Sequence, residues 1–233
     1  MQHEKNVLGN KAVWLFFLIF FSCAKLAAES KPALFRTLSV DDGLSQNTVW
    51  AIMQDKNNKI WIGTGDGLNR YDGYSFTTYY HTSNDSLSIA DNNIRSLCTD
   101  AEGTIWVGTL VGLSGYNRDT DNFTNYSLDN IPIQVLEIVD IPQQNSLFLA
   151  TNNGLISFNK ASKKMVINPT LKHLTVHSIC RVQNELFIGT SQGMYLYSIE
   201  SGNVRQILPE LSKVSIASVI YDKQTELFWV GTL

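Results

Sequence analysis

The sequence is short of cysteine, of excess positive charge and of long apolar runs, and each shortage removes a class of function. Three cysteines occur in 233 residues. Cys98 lies four residues after Ile94 and Cys180 four after Val176, at positions where sister segments carry Met53, Val139 and Ile220. A slot filled by Met, Cys, Val, Cys and Ile is an apolar packing position, because a free thiol packs as a small hydrophobe. No disulfide framework is expected. Beyond residue 28, 15 basic residues face 20 acidic ones, a net charge of −5, with no Lys/Arg run or basic stripe. That argues against nucleic acid and anionic membrane surfaces as partners. After the leading segment no apolar run is long enough to cross a hydrocarbon layer of ~30 Å. Helical periodicity is also missing from the remainder of the chain.

Residues 1–28 read as a secretory signal peptide. Lys5 and Lys11 form a basic start, residues 12–21 are unbroken apolar, and Leu26-Ala27-Ala28 places small residues beside a cleavage point. Phe20-Phe21-Ser22-Cys23 is similar to a lipobox, so a lipoprotein anchored at Cys23 is the minor alternative to a free periplasmic product. The expected location is the periplasm.

What is abundant is repetition. Ile60-Trp61-Ile62-Gly63-Thr64 returns as Ile105-Trp106-Val107-Gly108-Thr109, Leu147-Phe148-Leu149-Ala150-Thr151, Leu186-Phe187-Ile188-Gly189-Thr190 and Phe228-Trp229-Val230-Gly231-Thr232. The first residues lie 45, 42, 39 and 42 positions apart, and a period near 40 marks a propeller blade or a solenoid unit. A β-branched segment precedes each copy, at residues 49–54, 94–99, 135–141, 176–182 and 216–221, separated from it by hairpin residues such as Asp55-Lys56-Asn57-Asn58. In the first four units a glycine follows seven residues after the pentapeptide begins (Gly67, Gly112, Gly154, Gly193), and an aromatic eleven after (Tyr71, Tyr116, Phe158, Tyr197). A fourth strand carries Phe76 in the first unit and Phe123 in the second.

Four short antiparallel strands per unit predict an all-β fold, a β-propeller of four-stranded blades. Repeat cores fall at residues 49–80, 94–126, 135–167, 176–207 and 216–233, within a domain at residues 29–233. Within the pentapeptide, Trp or Phe alternates with a slot held by Gly or Ala. A large ring beside a small residue lets neighbouring sheets approach, so these aromatics are read as packing groups.

The succession Asp42-Gly43-Leu44-Ser45-Gln46-Asn47, Asp55, Ile60-Trp61-Ile62-Gly63-Thr64, then Gly67-Leu68-Asn69-Arg70-Tyr71-Asp72-Gly73 resembles the two-component regulator propeller repeat. Ser86-Leu87-Ser88 and Asn93-Ile94 before the second unit strengthen the resemblance. Units three and four are degenerate, with Ala150 for Gly and Phe148 and Phe187 for Trp. The resemblance implies the exported sensor region of Bacteroides-type hybrid two-component regulators, with seven-bladed rings and histidine kinase parts further along. It also implies that the ligand is an oligosaccharide. On that reading the chain holds four complete blades and a partial fifth of a seven-bladed ring, truncated before membrane and kinase parts. A propeller left open in this way is expected to be poorly soluble or to depend on other polypeptide, either the remainder of the propeller or a homodimer partner.

No catalytic, cofactor or metal constellation is predicted. Asp100-Ala101-Glu102-Gly103-Thr104-Ile105-Trp106 is superficially similar to a sialidase Asp box, but its Asp-to-Gly spacing is one residue too long, and glycoside hydrolysis needs two placed carboxylates or a tyrosine nucleophile. His173 and His177 have helical metal-pair spacing on a loop and a strand. Asp119-Thr120-Asp121-Asn122 reads as a solvated turn. Ligand contacts are expected from connectors on the face where each first strand begins, with Asn47, Asp66, Asn93 and Arg95 as the candidate rim. The alternative function is a free-standing secreted propeller that binds glycan or protein.

Overall fold

The computed structural model describes residues 35–129 and 131–233; the expected signal peptide and Cys23 lie outside the described residues. The chain divides into two units, residues 1–37 and 38–233. Residues 35–37 of the first unit carry no strand. Everything below belongs to the second.

Five sheets follow one another along this unit. Blade 1 is β1 (Val49–Gln54), β2 (Ile60–Thr64), β3 (Leu68–Tyr71) and β4 (Phe76–Tyr79). Blade 2 is β5 (Ile94–Thr99), β6 (Ile105–Thr109), β7 (Leu113–Asn117) and β8 (Asn122–Tyr126). Blade 3 is β9 (Val135–Ile141), β10 (Ser146–Thr151), β11 (Gly154–Asn159) and β12 (Met165–Ile167). Blade 4 is β13 (Val176–Val182), β14 (Glu185–Thr190), β15 (Gly193–Ser198) and β16 (Val204–Ile207). Blade 5 has β17 (Ile216–Asp222) and β18 (Leu227–Thr232) only. All pairings are antiparallel between sequence neighbours, so each blade is a meander. The fold is the expected β-propeller architecture.

The core lies between blades. Trp61, Leu68 and Met53 of blade 1 pack against Leu97, Ile105, Val107 and Tyr116 of blade 2. Trp106 and Cys98 then meet Ile138, Leu149 and Phe158. Phe148 and Val139 meet Ile179, Ile188 and Tyr197, and Phe187 and Cys180 meet Val219 and Val230. The ring beside a small residue is what permits this. A Cβ on Gly63 would stand 2.6 Å from Ile94 Cγ2, and one on Gly189 2.8 Å from Ile216 Cγ2, so a larger residue would force the blades apart. Cys98 and Cys180 are free thiols in the apolar slot; burial pushes the Cys98 thiol up to about 11.

The pentapeptide threonine has its own task. Thr64, Thr109, Thr151 and Thr190 are fully buried. Each donates through Oγ1 to the carbonyl of the glycine three residues on, at 2.9, 3.0, 2.7 and 2.9 Å. Each also accepts the amide two residues on, which closes the turn between the second and third strands. Gly67, Gly154 and Gly193 have positive φ there.

The hairpin aspartates do more than turn the chain. Asp55 Oδ1 accepts the amides of Asn57 and Lys59, while its Oδ2 takes the indole N–H of Trp61 at 3.1 Å. Asp100 likewise takes Trp106 Nε1 at 2.8 Å. A cation from the next blade completes each pair: Arg118 reaches Asp55 at 3.3 Å, and Lys160 reaches Asp100 at 3.4 Å, Asp140 at 3.2 Å and Glu102 at 2.6 Å. Burial by itself raises the Asp100 pKa, but the bonds from Trp106 and Thr104 and the charge of Lys160 outweigh it and hold the carboxyl below its ordinary value. Burial acts to lower Lys160, and its carboxylates carry it up to about 12.

Two faces of the unit have no neighbour among the described residues. On blade 1, Ile52 is 68% exposed, whereas its counterparts Ile138, Ile179 and Val219 are buried. On blade 5, Ile220 and Trp229 are 62% and 64% exposed.

Lys160→Met leaves Asp100 and Asp140 without their cation and should cost about 3–5 kcal/mol at pH 7, measured by urea unfolding. Asp100 is depressed in the native state, so its contribution is complete above the ordinary carboxylate pKa and is lost as pH falls through the lower native one. Lys160 is raised, so its contribution persists until pH climbs past its ordinary pKa. The difference between wild type and variant should therefore be flat from about pH 5 to 9 and shrink below about pH 4.

Candidate functional site

Each first strand opens with a β-bulge. The register slips between Val49 and Ala51, Ile94 and Ser96, Val176 and Ser178, and Ile216 and Ser218. In blade 3, Val135 pairs with Thr151 but Glu137 with Ala150. The extra residues are Trp50, Arg95, Leu136, His177 and Ala217. A bulge bends its strand and re-aims the unpaired side chain, so every blade offers one such residue at the same level of the fold.

The first two of these meet. The Arg95 guanidinium lies 4.0 Å from the centroid of the Trp50 ring, and Trp50 is 49% exposed. Among the described residues Arg95 makes no side-chain hydrogen bond or ion pair, so its fork of donors is free while stacking fixes its plane. His177 sits half-buried, with Nε2 3.4 Å from Ser215 Oγ of the next connector. Burial lowers its pKa, which favours the neutral imidazole at pH 7.

The four rim candidates divide. Asn47 is exposed, but its Oδ1 accepts the Val40 amide at 3.1 Å and so holds the short 3-10 turn Val40–Asp42. Asp66 is exposed and accepts Asn92 Nδ2 at 3.0 Å, tying the blade 1 turn to the connector that enters blade 2. Asn93, next in sequence to Asn92, has a buried Oδ1 without a partner among the described residues, and so does Gln46 at Oε1. Arg95 stands on Trp50. The structure thus joins Asp66 to the Asn92–Asn93 step and Arg95 to Trp50, while it directs Asn47 elsewhere.

Sequence reasoning passed over Trp50, which looks like one more apolar residue of a strand. The available signal was Arg95, a cation in an otherwise apolar strand at the equivalent place. Asp121, read as a solvated turn residue, instead accepts Tyr79 Oη at 2.7 Å, Tyr116 Oη and Arg70 Nη1 at 3.2 Å across the first junction. Asp100 of the supposed Asp box is committed to Trp106, Thr104 and Lys160. His173 is exposed on the turn before β13, away from the strand that bears His177. Cavities of about 570, 580 and 400 Å³ lie elsewhere, and none is lined by Asn47, Asp66, Asn93 or Arg95.

Residues 43–66 and 88–110 match the two component regulator propeller family. Those two segments, about a fifth of the chain, match the repeat of that family. It is 39% identical over 83 residues to Histidine kinase P4 of Formosa agariphila, a stretch covering 36% of this chain and 6% of that protein. The extracellular domain of a putative hybrid two component system from B. thetaiotaomicron superposes with a TM-score of 0.71 at 28% identity, covering 86% of this chain and 30% of that one. A second extracellular domain from B. thetaiotaomicron, of a putative one component system, gives 0.68 at 18% identity over 88% and 27% of the two chains, a likeness of fold alone. The chain therefore spans under a third of these relatives. It is a propeller resembling the extracellular sensor domains of two-component systems, and no helix among the described residues is long and apolar enough to cross a membrane.

By proton NMR the His177 ring should titrate below pH 6.5, because the native fold favours the neutral form and protonation costs stability as pH falls. A pKa at or above the free value would contradict the burial described here.

Proposed function

We propose that this chain is the exported, ligand-sensing propeller of a two-component signalling protein, acting in the periplasm, and that an oligosaccharide binds where the first strands bulge. The observation that carries the reading is the Trp50–Arg95 stack: an exposed indole and a guanidinium whose donors have no partner among the described residues. Aromatic faces with a few placed polar groups are what a small-ligand site requires. The resemblance to extracellular sensor domains and to a histidine kinase supports the signalling role. Kinase action would belong to other parts of a longer protein.

The partner reading also sharpens. At the first two junctions a Trp–Asp pair meets a cation placed just after the third strand of the next blade, Arg118 or Lys160. Blade 5 carries Trp229 and Asp222 in the same register, since Asp222 pairs with Leu227 as Asp55 bonds to Lys59. Blade 1 has Gly73 at the cation position, exposed and without a side chain. The blade 5 face therefore suits a further repeat bearing Lys or Arg, not the first blade of a second copy. Sedimentation should reveal no dimer sensitive to Trp229→Glu; one that disappears in that variant would favour the second copy.

Screening the purified chain on a glycan array and titrating the best hit by calorimetry tests the sensor reading. Trp50→Ala and Arg95→Ala should each weaken binding by about tenfold or more, equivalent to ~1.4 kcal/mol. An array without a hit, or a hit indifferent to both variants, rejects it.

A further inference from the structure

Because the blades are copies of one plan, comparing junctions position by position reveals where a side chain has been withdrawn. At the first junction Arg70 stands opposite Trp61 in the β2–β3 register. Its guanidinium lies 5.7 Å from the Trp61 ring and 5.5 Å from Tyr79, and it bonds Tyr116 Oη at 2.8 Å and Asp121 at 3.2 Å. The chain's own cation thus occupies part of the slot and is paired there with the chain's own acid.

At the second junction both groups change. Gly115 stands opposite Trp106 where Arg70 would be. Lys163 takes the place of Asp121: the two turns share one plan, with Asn117 and Asn159 each accepting the amides two and three residues on and with positive φ at Asp121 and Lys163 alike. What remains is a cavity of about 570 Å³, within the range of small-molecule sites. Its floor is Trp106 and Gly115, and Tyr126, Arg118, Asn117 and Lys163 are among its walls.

The hydrogen-bonding balance of those walls decides the ligand class. The acids are engaged, Asp100 by Trp106, Thr104 and Lys160, and Glu102 by Lys160 at 2.6 Å. The Lys163 ammonium sits 5.8 Å from the Tyr126 ring and has no hydrogen bond or ion pair among the described residues. Arg118 uses one Nη on Asp55, and its other donors have no partner among the described residues. The cavity thus offers cationic donors that lack acceptors. The cavity at the first junction, of about 400 Å³, is lined by Asp55, Asp72 and Asp121 together with Lys59, Arg70 and Arg118, and there Arg70 is paired with Asp121 and Arg118 with Asp55.

We propose that the cavity between blades 2 and 3 binds a small organic anion, a carboxylate carried on a six-membered ring, with Lys163 and Arg118 as donors to the carboxylate and the ring against Tyr126. This site is separate from the Trp50–Arg95 face and stands whether or not that face binds sugar.

The test uses the whole chain. Galacturonate and benzoate, as sugar and aryl carriers of the carboxylate, are titrated against methyl galactoside and benzamide, with the Trp106 indole N–H resonance as local readout. At least one acid should bind with a Kd of about 1 mM or tighter and its neutral counterpart at least about tenfold more weakly. Lys163→Glu should weaken the acid by about tenfold or more, since it turns the donor into a repelling charge. Gly115→Arg combined with Lys163→Asp rebuilds the first junction's chemistry and should abolish binding while near-UV circular dichroism stays native. Trp50→Ala should leave this affinity unchanged. Absence of binding by both acids at 10 mM, or acid binding that survives Lys163→Glu, overturns the proposal.

Discussion

The approach of one sheet face to the next is the constraint on which the rest depends. A blade of four short strands buries little by itself, and stability comes from stacking neighbours. The stacking needs a flat aromatic on one blade, a residue without bulk beside it, and a branched aliphatic opposite. Trp61 with Gly63 against Leu97 and Ile94 meets that need at the first junction, and Phe187 with Gly189 against Val219 and Ile216 meets it at the fourth. Blades 1 and 5 show the outcome where the described residues provide no neighbour, with Ile52, Ile220 and Trp229 exposed.

An indole adds a polar obligation that a phenyl ring lacks, and the whole junction responds to it. Where Trp stands, an Asp receives its N–H and a cation from the next blade neutralises the Asp. Where Phe148 stands, Ile141 occupies the register position of the Asp, and Ile199 occupies that of Arg118 and Lys160. All three groups of that set are buried in one apolar cluster. A partial swap would bury an unpaired charge or an unsatisfied N–H, each costly, so the replacement comes as a set. The third unit, which looks degenerate as sequence, is a self-consistent apolar version. In blade 5, Trp229 and Asp222 are both present, yet Asp222 bonds to Gln224 and Thr225 and the indole stays exposed. The pair forms only beneath a neighbouring blade.

Much of this was legible in the sequence because strand period and hairpin chemistry are local. The first four opening strands and the five pentapeptides fall where alternation and turn residues put them, and the glycine seven positions on is explained by positive φ at three of the four turns. Less legible was anything that depends on contact between units. Asp55 and Asp121 look like ordinary turn residues; beside the bonds from Trp61 and Tyr116 within their own blades, the stacked neighbour gives one an arginine and the other a tyrosine and an arginine. The bulges were hidden for a related reason: the extra residue does not disturb the apolar composition of the strand, so the register slip that aims Trp50 and Arg95 leaves no compositional trace. The rim candidates, Arg95 included, were chosen for their hydrogen-bonding chemistry, and neither the Trp50 ring beneath Arg95 nor the partners of Asn47 and Asp66 could be foreseen.

In a repeat fold, positions that agree across units describe the scaffold, and those that keep their register but change chemistry describe the individual protein. The first-strand residue just past the bulge illustrates the distinction. In blades 2 and 4 it is Ser96 and Ser178, whose hydroxyls bond the next first strand at Val135 O (3.1 Å) and at the Val219 amide (3.2 Å). In blade 3 it is Glu137, which takes the Ile179 amide at 2.7 Å. The same inter-blade tie is thus made once by a group that carries charge. Burial raises the Glu137 pKa against the opposing pull of the Ile179 amide and Ser178, so ionising this carboxyl costs the native state more than the unfolded one. A serine would satisfy the amide without that cost. Packing alone does not account for the glutamate, and it stands one residue from the row of bulged side chains that the sensor reading assigns to ligand.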